Sequence, residues 1–224
     1  MPLNEIGLVA NAAAGYANSG SNYKGVWLDA SGAQVVLDFF AKALLDGHGF
    51  QVRAGTITTP LIGDVVITDT AAEFCIDPPA GICAIPTKQI ISVRLSTGTL
   101  HEYATKSVAT ASSAGTAFVP LPLLTGGVAA STTARVQAAG AVTVTAELAT
   151  TTRRHWSWAN PAAGFTGALP GDQHQEWEPL RPPVIKSIAG AAFCLYTQVA
   201  ATTTGPSYYA NLDFIEYANA LLQI

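Results

Sequence analysis

From Phe50 onward the chain alternates apolar and polar residues in short runs separated by Gly, Pro, Ser and Thr. That period belongs to strands buried on one face, where successive side chains point to opposite sides. It predicts strands over residues 51–55, 56–59 and 64–69, with Pro60 and Gly63 between them, and over 72–77, 89–95 and 99–105, with Pro78-Pro79-Ala80-Gly81 as a turn. Residues 116–124 are apolar but interrupted by Pro120 and Pro122, which predicts a sheet edge or a segment laid across the sandwich. Residues 134–138 and 141–148 read as a hairpin around Gly140. Two further strands are expected over 191–200 and 208–217.

Other stretches have a different pattern. Residues 4–16 place apolar residues at helical spacing, Leu8 and Tyr16 among them, and give way to Asn18-Ser19-Gly20-Ser21-Asn22. Residues 1–23 therefore read as an N-terminal arm, with 24–224 as a single domain. Residues 24–29 suit a strand. For residues 33–45 helix and strand are both open, a helix placing Val36, Phe40, Ala43 and Leu44 on one side. Residues 156–183 hold Trp156, Trp158 and Trp177 among several prolines and read as a long loop, an element usually used for binding or packing. The strands number about eight to ten, with no strand and helix alternation and no fixed repeat, so the expected fold is all-β. Eight strands wound as two Greek keys make a jelly-roll sandwich.

Composition sharpens this picture. Charged residues make up 12% of the chain and hydrophobic ones 49%, against about a quarter charged in an average soluble protein. A surface so poor in ions suits a protein much of whose exterior is interface. The net charge is −4 with no run of Lys or Arg, so the basic footprint of a nucleic-acid binder is missing. No apolar run has membrane-spanning length and the start lacks a basic, then apolar, leader, so the expectation is a chain made in the cytosol without an anchor. Cys75 and Cys83 flank the turn closely enough to meet, while Cys194 reads as a small buried hydrophobe.

Catalytic chemistry finds thin support. His155, His174, Asp172 and Glu176 bring imidazole and carboxylate into one region, a donor set that suits zinc or manganese, but their spacing matches no established motif. Asp64, Asp69, Glu73 and Asp77 fall on successive β segments and could pair as a glycosidase acid and base, yet strand edges commonly carry solvated acids. Nucleophile elbows, zinc-protease helices and phosphate loops are missing from the sequence, and no cofactor is expected. The favoured role for Arg153, Arg154, Trp156, Trp158 and Trp177 is contact with a neighbouring protein, because Trp and Arg are enriched at interface hot spots. A carbohydrate platform on the same tryptophans is the alternative, as in an adhesin or a phage fibre.

The stretch Phe74-Cys75-Ile76-Asp77-Pro78-Pro79-Ala80-Gly81-Ile82-Cys83-Ala84-Ile85-Pro86, running on through Ile90-Ile91-Ser92-Val93 to Gly98-Thr99-Leu100-His101-Glu102, resembles single jelly-roll capsid proteins of small icosahedral bacterial viruses. The likeness spans a stretch of about thirty residues. It implies a non-enzymatic virion protein, assembled in the host cytoplasm, that contacts copies of itself and other virion proteins. Arm and loops, Leu8 and Tyr16 included, would be exchanged between neighbours. Many capsid proteins that touch a genome carry a basic arm, whereas no Lys or Arg precedes Lys24 here. A shell lined by a membrane or another protein, or a minor or decorating role, meets that departure.

Overall fold

The computed structural model describes residues 39–56, 58–95, 100–137, 141–145, 152–159, 173–200 and 205–222. The chain divides into two units, Met1–Lys42 and Ala43–Ile224. Of the first, only the opening residues of helix α1 (Phe39–Leu45) are described. The arm and the 24–29 strand expected from the sequence lie outside the described residues.

The second unit is built almost entirely of antiparallel strands. In chain order these are β1 (Gly49–Ala54), β2 (Leu61–Ile62), β3 (Ala71–Ala72), β4 (Phe74–Asp77), β5 (Ile82–Leu95), β6 (Leu100–Val108), β7 (Thr116–Phe118) and β8 (Leu121–Pro122). There follow β9 (Thr133–Val136), β10 (Val142–Thr143), β11 (Thr152–Ala159), β12 (Gln173–Trp177), β13 (Ile185–Lys186), β14 (Ala192–Ala200) and β15 (Ser207–Ala218), and a last helical turn, α2 (Asn219–Leu222). One sheet runs β12-β5-β15-β1-β8, with β13 also on β5 and β2 also on β15. A second runs β11-β6-β14-β4-β9-β7, and β10 pairs with β3 separately.

Period-two burial explains why the two large sheets meet. Along β15, Tyr208, Ala210, Leu212 and Phe214 are buried while Tyr209, Asn211 and Asp213 between them are only partly so. β1 follows suit with Phe50, Val52 and Ala54. From the other sheet come Phe74, Ile76, Tyr103, Phe193 and Leu195, and all of these share one core. Burying each large apolar side chain is worth about 1.5–3 kcal/mol. The intervening positions Cys75 and Cys194 point the other way, into a smaller cluster with Ala72, Val142, Val144 and Tyr196, so β3 and β10 cap the outer face of the second sheet.

A proline in the middle of β5 is tolerated because the ladder skips there. Asp213 pairs with Lys88 and Phe214 with Pro86, leaving Thr87 as the extra residue of a bulge. The Thr87 hydroxyl donates to the Asp213 carbonyl at 3.1 Å. On the other side of β5, β13 reaches only Ala84 and β12 begins at Gln89, so Pro86 faces no strand needing its N–H. This is why the strand runs on from Ile82 instead of starting at Gln89.

Several sequence expectations give way here. Thr56 and Thr59 exchange backbone hydrogen bonds with each other instead of with a partner strand, and residues 65–66 bend instead of forming a strand. The proposed hairpin around Gly140 does not form, because β9 pairs with β4 and β7 whereas β10 pairs with β3. The region read as a long loop, 156–183, holds the end of β11 and all of β12, whose partners β6 and β5 lie far away in sequence and leave no local signal. Helix wins over strand for the described part of 33–45. The proline-broken segment does lie at the sheet edges, β7 closing one sheet and β8 the other.

Cysteine pairing also differs. Cys75 bonds to Cys194, and Cys83 is free and buried. The turn at Pro79–Gly81, closed by Ile82 N–H to the Pro79 carbonyl, hands the chain from one large sheet to the other, so Cys75 and Cys83 do not become cross-strand neighbours. Cys194 stands directly opposite Cys75 in the β14–β4 register.

Candidate functional site

The outward residues of β1 and β15 enclose a shallow depression of about 270 Å³ lined by Arg53, Thr56, Tyr209 and Asn211. Its walls follow from local chain geometry. Gly55 ends β1 with φ +87°, and a Cβ there would stand 2.9 Å from Tyr209 Cδ1, so only glycine lets the tyrosine ring lie this close. Beyond it, Thr59 N–H donates to the hydroxyl of Thr56, one of the lining residues, at 3.0 Å. Arg53 Nε donates to Asn211 Oδ1 at 3.3 Å and Arg94 Nη1 to the Tyr209 hydroxyl at 3.4 Å. Neither guanidinium pairs with a carboxylate among the described residues.

The residues singled out by sequence separate. Trp177 stacks on Phe193 at 5.9 Å with rings 13° apart, bridging the two large sheets at the margin of the core. Beside it on β12, Glu176 pairs with Lys88 at 2.5 Å and lies 3.5 Å from His174 Nε2. The Lys88 hydrogen bond holds the Glu176 carboxyl below the usual carboxylate range, and the same bond raises the Lys88 ammonium. On β11 only the backbone of Arg153, Arg154, His155, Trp156 and Trp158 is described; Trp156 stands opposite Tyr103 and Trp158 opposite His101. Asp172, Leu8 and Tyr16 lie outside the described residues. The two histidine positions, 155 and 174, sit on strands of different sheets, and no group of metal-competent side chains occurs among the described residues.

Three of the four acids considered for glycoside hydrolysis, Asp69, Glu73 and Asp77, serve as loop anchors, while burial raises the pKa of the fourth, Asp64. Asp77 accepts from Ser112 N–H at 2.9 Å, from the Ser112 hydroxyl at 2.6 Å and from Arg135 Nε at 3.2 Å. Glu73 Oε1 accepts from Asp64 N–H at 3.3 Å. Asp69 pairs with the almost fully buried Lys106 ammonium, which lies 5.3 Å from the Tyr196 ring centre. Sequence reasoning passed over a fourth acid of this kind, Glu216, whose two oxygens take Ser131 N–H at 2.9 Å and Thr132 N–H at 2.7 Å. Each carboxylate thus holds one loop to a strand.

Apolar side chains crowd the margin of the first sheet beyond β1. Leu44, Leu45, Leu121, Leu123 and Leu124 are exposed there, and Gly49 lies against Leu44 and Leu123. Comparison of the chain with protein families, with curated proteins and with solved structures finds no match.

Proposed function

We propose that this chain is a jelly-roll capsid protein, a structural subunit of a virus particle that packs against copies of itself and other virion proteins. The observation that carries the reading is strand order. Taking the eight principal strands alone, one sheet reads β12-β5-β15-β1 and the other β11-β6-β14-β4. Successive strands of the series β1, β4, β5, β6, β11, β12, β14, β15 thereby alternate between sheets as two nested Greek keys require, with the one exception that β6 and β11, in the middle of the series, pair with each other in the same sheet. Jelly rolls serve in viral capsids, lectins and cupins.

Two further features favour the capsid among these. The exterior is poor in charge, and large apolar side chains stand exposed along the β8 margin, as at surfaces that meet another protein. The prominent acids are committed to holding loops in place, which suits a scaffold. Cyclic or icosahedral assembly is the expected outcome of repeating one such contact with closure.

Electron microscopy with light scattering on the purified full-length chain tests the reading. Rings or closed shells are the expected result. A monomer that stays monomeric across concentrations and salt conditions, and that is missing from purified particles, would sink it.

A further inference from the structure

We infer that Lys106 and Asp69 are the two ends of a self-forming amide cross-link, in which the Lys106 side-chain nitrogen bonds to the side-chain carboxyl carbon of Asp69. The inference is independent of the shell reading, since both residues belong to one chain and need no neighbour. Three observations point to it.

The first is the place of the amine. Lys106 stands opposite Cys194 in the β6–β14 register, so its side chain leaves the second sheet on the outer face, the face that carries Cys75, Val108 and Cys194. Only 5% of that side chain is exposed, whereas Lys88, paired with Glu176, keeps 34% of its own in solvent. A lysine is almost never buried so deeply without a partner, and one ion pair rarely repays the hydration its ammonium gives up. An amide carries no charge, so forming it removes the buried ion.

The second observation is how firmly the carboxyl is aimed. Asp69 occupies a tight turn closed by Ala71 N–H to the Thr68 carbonyl at 3.0 Å, and Val144 N–H holds the next carbonyl, that of Thr70, at 3.0 Å. The Asp69 backbone carbonyl accepts from Lys106 Nζ at 2.9 Å and from the Tyr196 hydroxyl at 3.1 Å. Lys106 Nζ also donates directly to Asp69 Oδ1. Amine and carboxyl thus meet in a fixed frame, and well-oriented groups gain effective concentrations of up to about 10⁵–10⁸ M.

The third is that the reaction needs nothing the site lacks. The Lys106 ammonium passes one proton to the carboxylate it touches, and the freed amine attacks Cγ. The C–N bond forms, a second proton moves from nitrogen to the leaving hydroxyl, and the C–O bond breaks to release water. One hydrogen stays on the amide nitrogen, and no oxidant or co-reactant enters. The Asp69 side chain is 47% exposed, which gives the water a way out. Tyr196 is a positioning residue: burial, with the charges of Asp69 and Glu73, raises its pKa and keeps its hydroxyl a donor to the Asp69 carbonyl. The product ties the turn before β3 to β6, on the face where the disulfide already ties β4 to β14.

Mass spectrometry of the folded, then reduced, full-length chain tests this. The mass is expected to fall one water below that of the sequence. Trypsin acting on the denatured chain should leave the Lys106–Ser107 bond uncut and release a branched peptide joining Asp69 to Lys106. Lys106→Arg keeps a cation in place but removes the reactive amine, and Asp69→Ala removes the carboxyl; each should show its full sequence mass. The wild-type digest decides the matter even where a variant fails to fold. Full sequence mass with cleavage after Lys106 would overturn the proposal. A missing water that persists in Lys106→Arg would place the dehydration at another residue and overturn it equally.

Discussion

Cys75 and Cys194 stand directly opposite one another on β4 and β14 and are joined by a disulfide across 119 residues of sequence. The bond staples neighbouring strands in the middle of a sheet, and the loop it closes spans over half the chain. Replacing Cys194 with Ala should lower stability by about 2–5 kcal/mol, read as a lower urea midpoint that matches the wild-type chain under reductant. A non-reducing peptide map should show Cys75 linked to Cys194. Cys83 should label only on unfolding, since burial pushes its thiol pKa up.

His101 is fully buried on β6, and burial lowers its pKa from the ordinary value, so the folded protein keeps it neutral. The unfolded chain takes up its proton near pH about 6.5, whereas the folded chain does so only at lower pH. Unfolded molecules therefore bind more protons in that window, and stability falls as pH drops below about 6.5 toward the folded-state pKa. Urea midpoints between pH 8 and pH 5 should decline more steeply for the wild type than for His101→Gln.

Glu216 accepts two backbone N–H groups, from Ser131 and Thr132, and Thr132 is buried. Glu216→Ala leaves both donors without their acceptor and should cost about 1–3 kcal/mol. Hydrogen exchange at Ser131 and Thr132 should accelerate much more than at the amides of β6. Uniform acceleration everywhere would mean that the carboxylate supports the whole sandwich instead of one loop.

Gly55→Ala combines a backbone penalty at φ +87° with a contact against Tyr209. It should destabilise the fold by about 1–3 kcal/mol, visible in thermal denaturation. The same substitution should move the Tyr209 ring, which NMR chemical shifts of the ring protons would register.

Where apolar and polar residues alternate, as along β15, the sequence announced strand and buried face together, since the pattern that hides Tyr208, Ala210, Leu212 and Phe214 is local. β11 and β12 escaped notice because their stability comes from partners remote in sequence, and because nearby prolines suggested a loop. The Cys75–Cys194 pair was hidden for the same reason, register between distant strands being unreadable from spacing. Of the depression, Arg53 and Tyr209 carried no motif. Gly55 at the end of an alternating run was the only hint, and its purpose appears once Tyr209 is seen against it.

The segment carrying β7 and β8 has a mechanical consequence. β7 ends at Phe118 as the outermost strand of one sheet and β8 begins at Leu121 as the outermost strand of the other, so Val119 and buried Pro120 alone carry the chain between them. The two sheets are bound together along that side like the covers of a book along its spine.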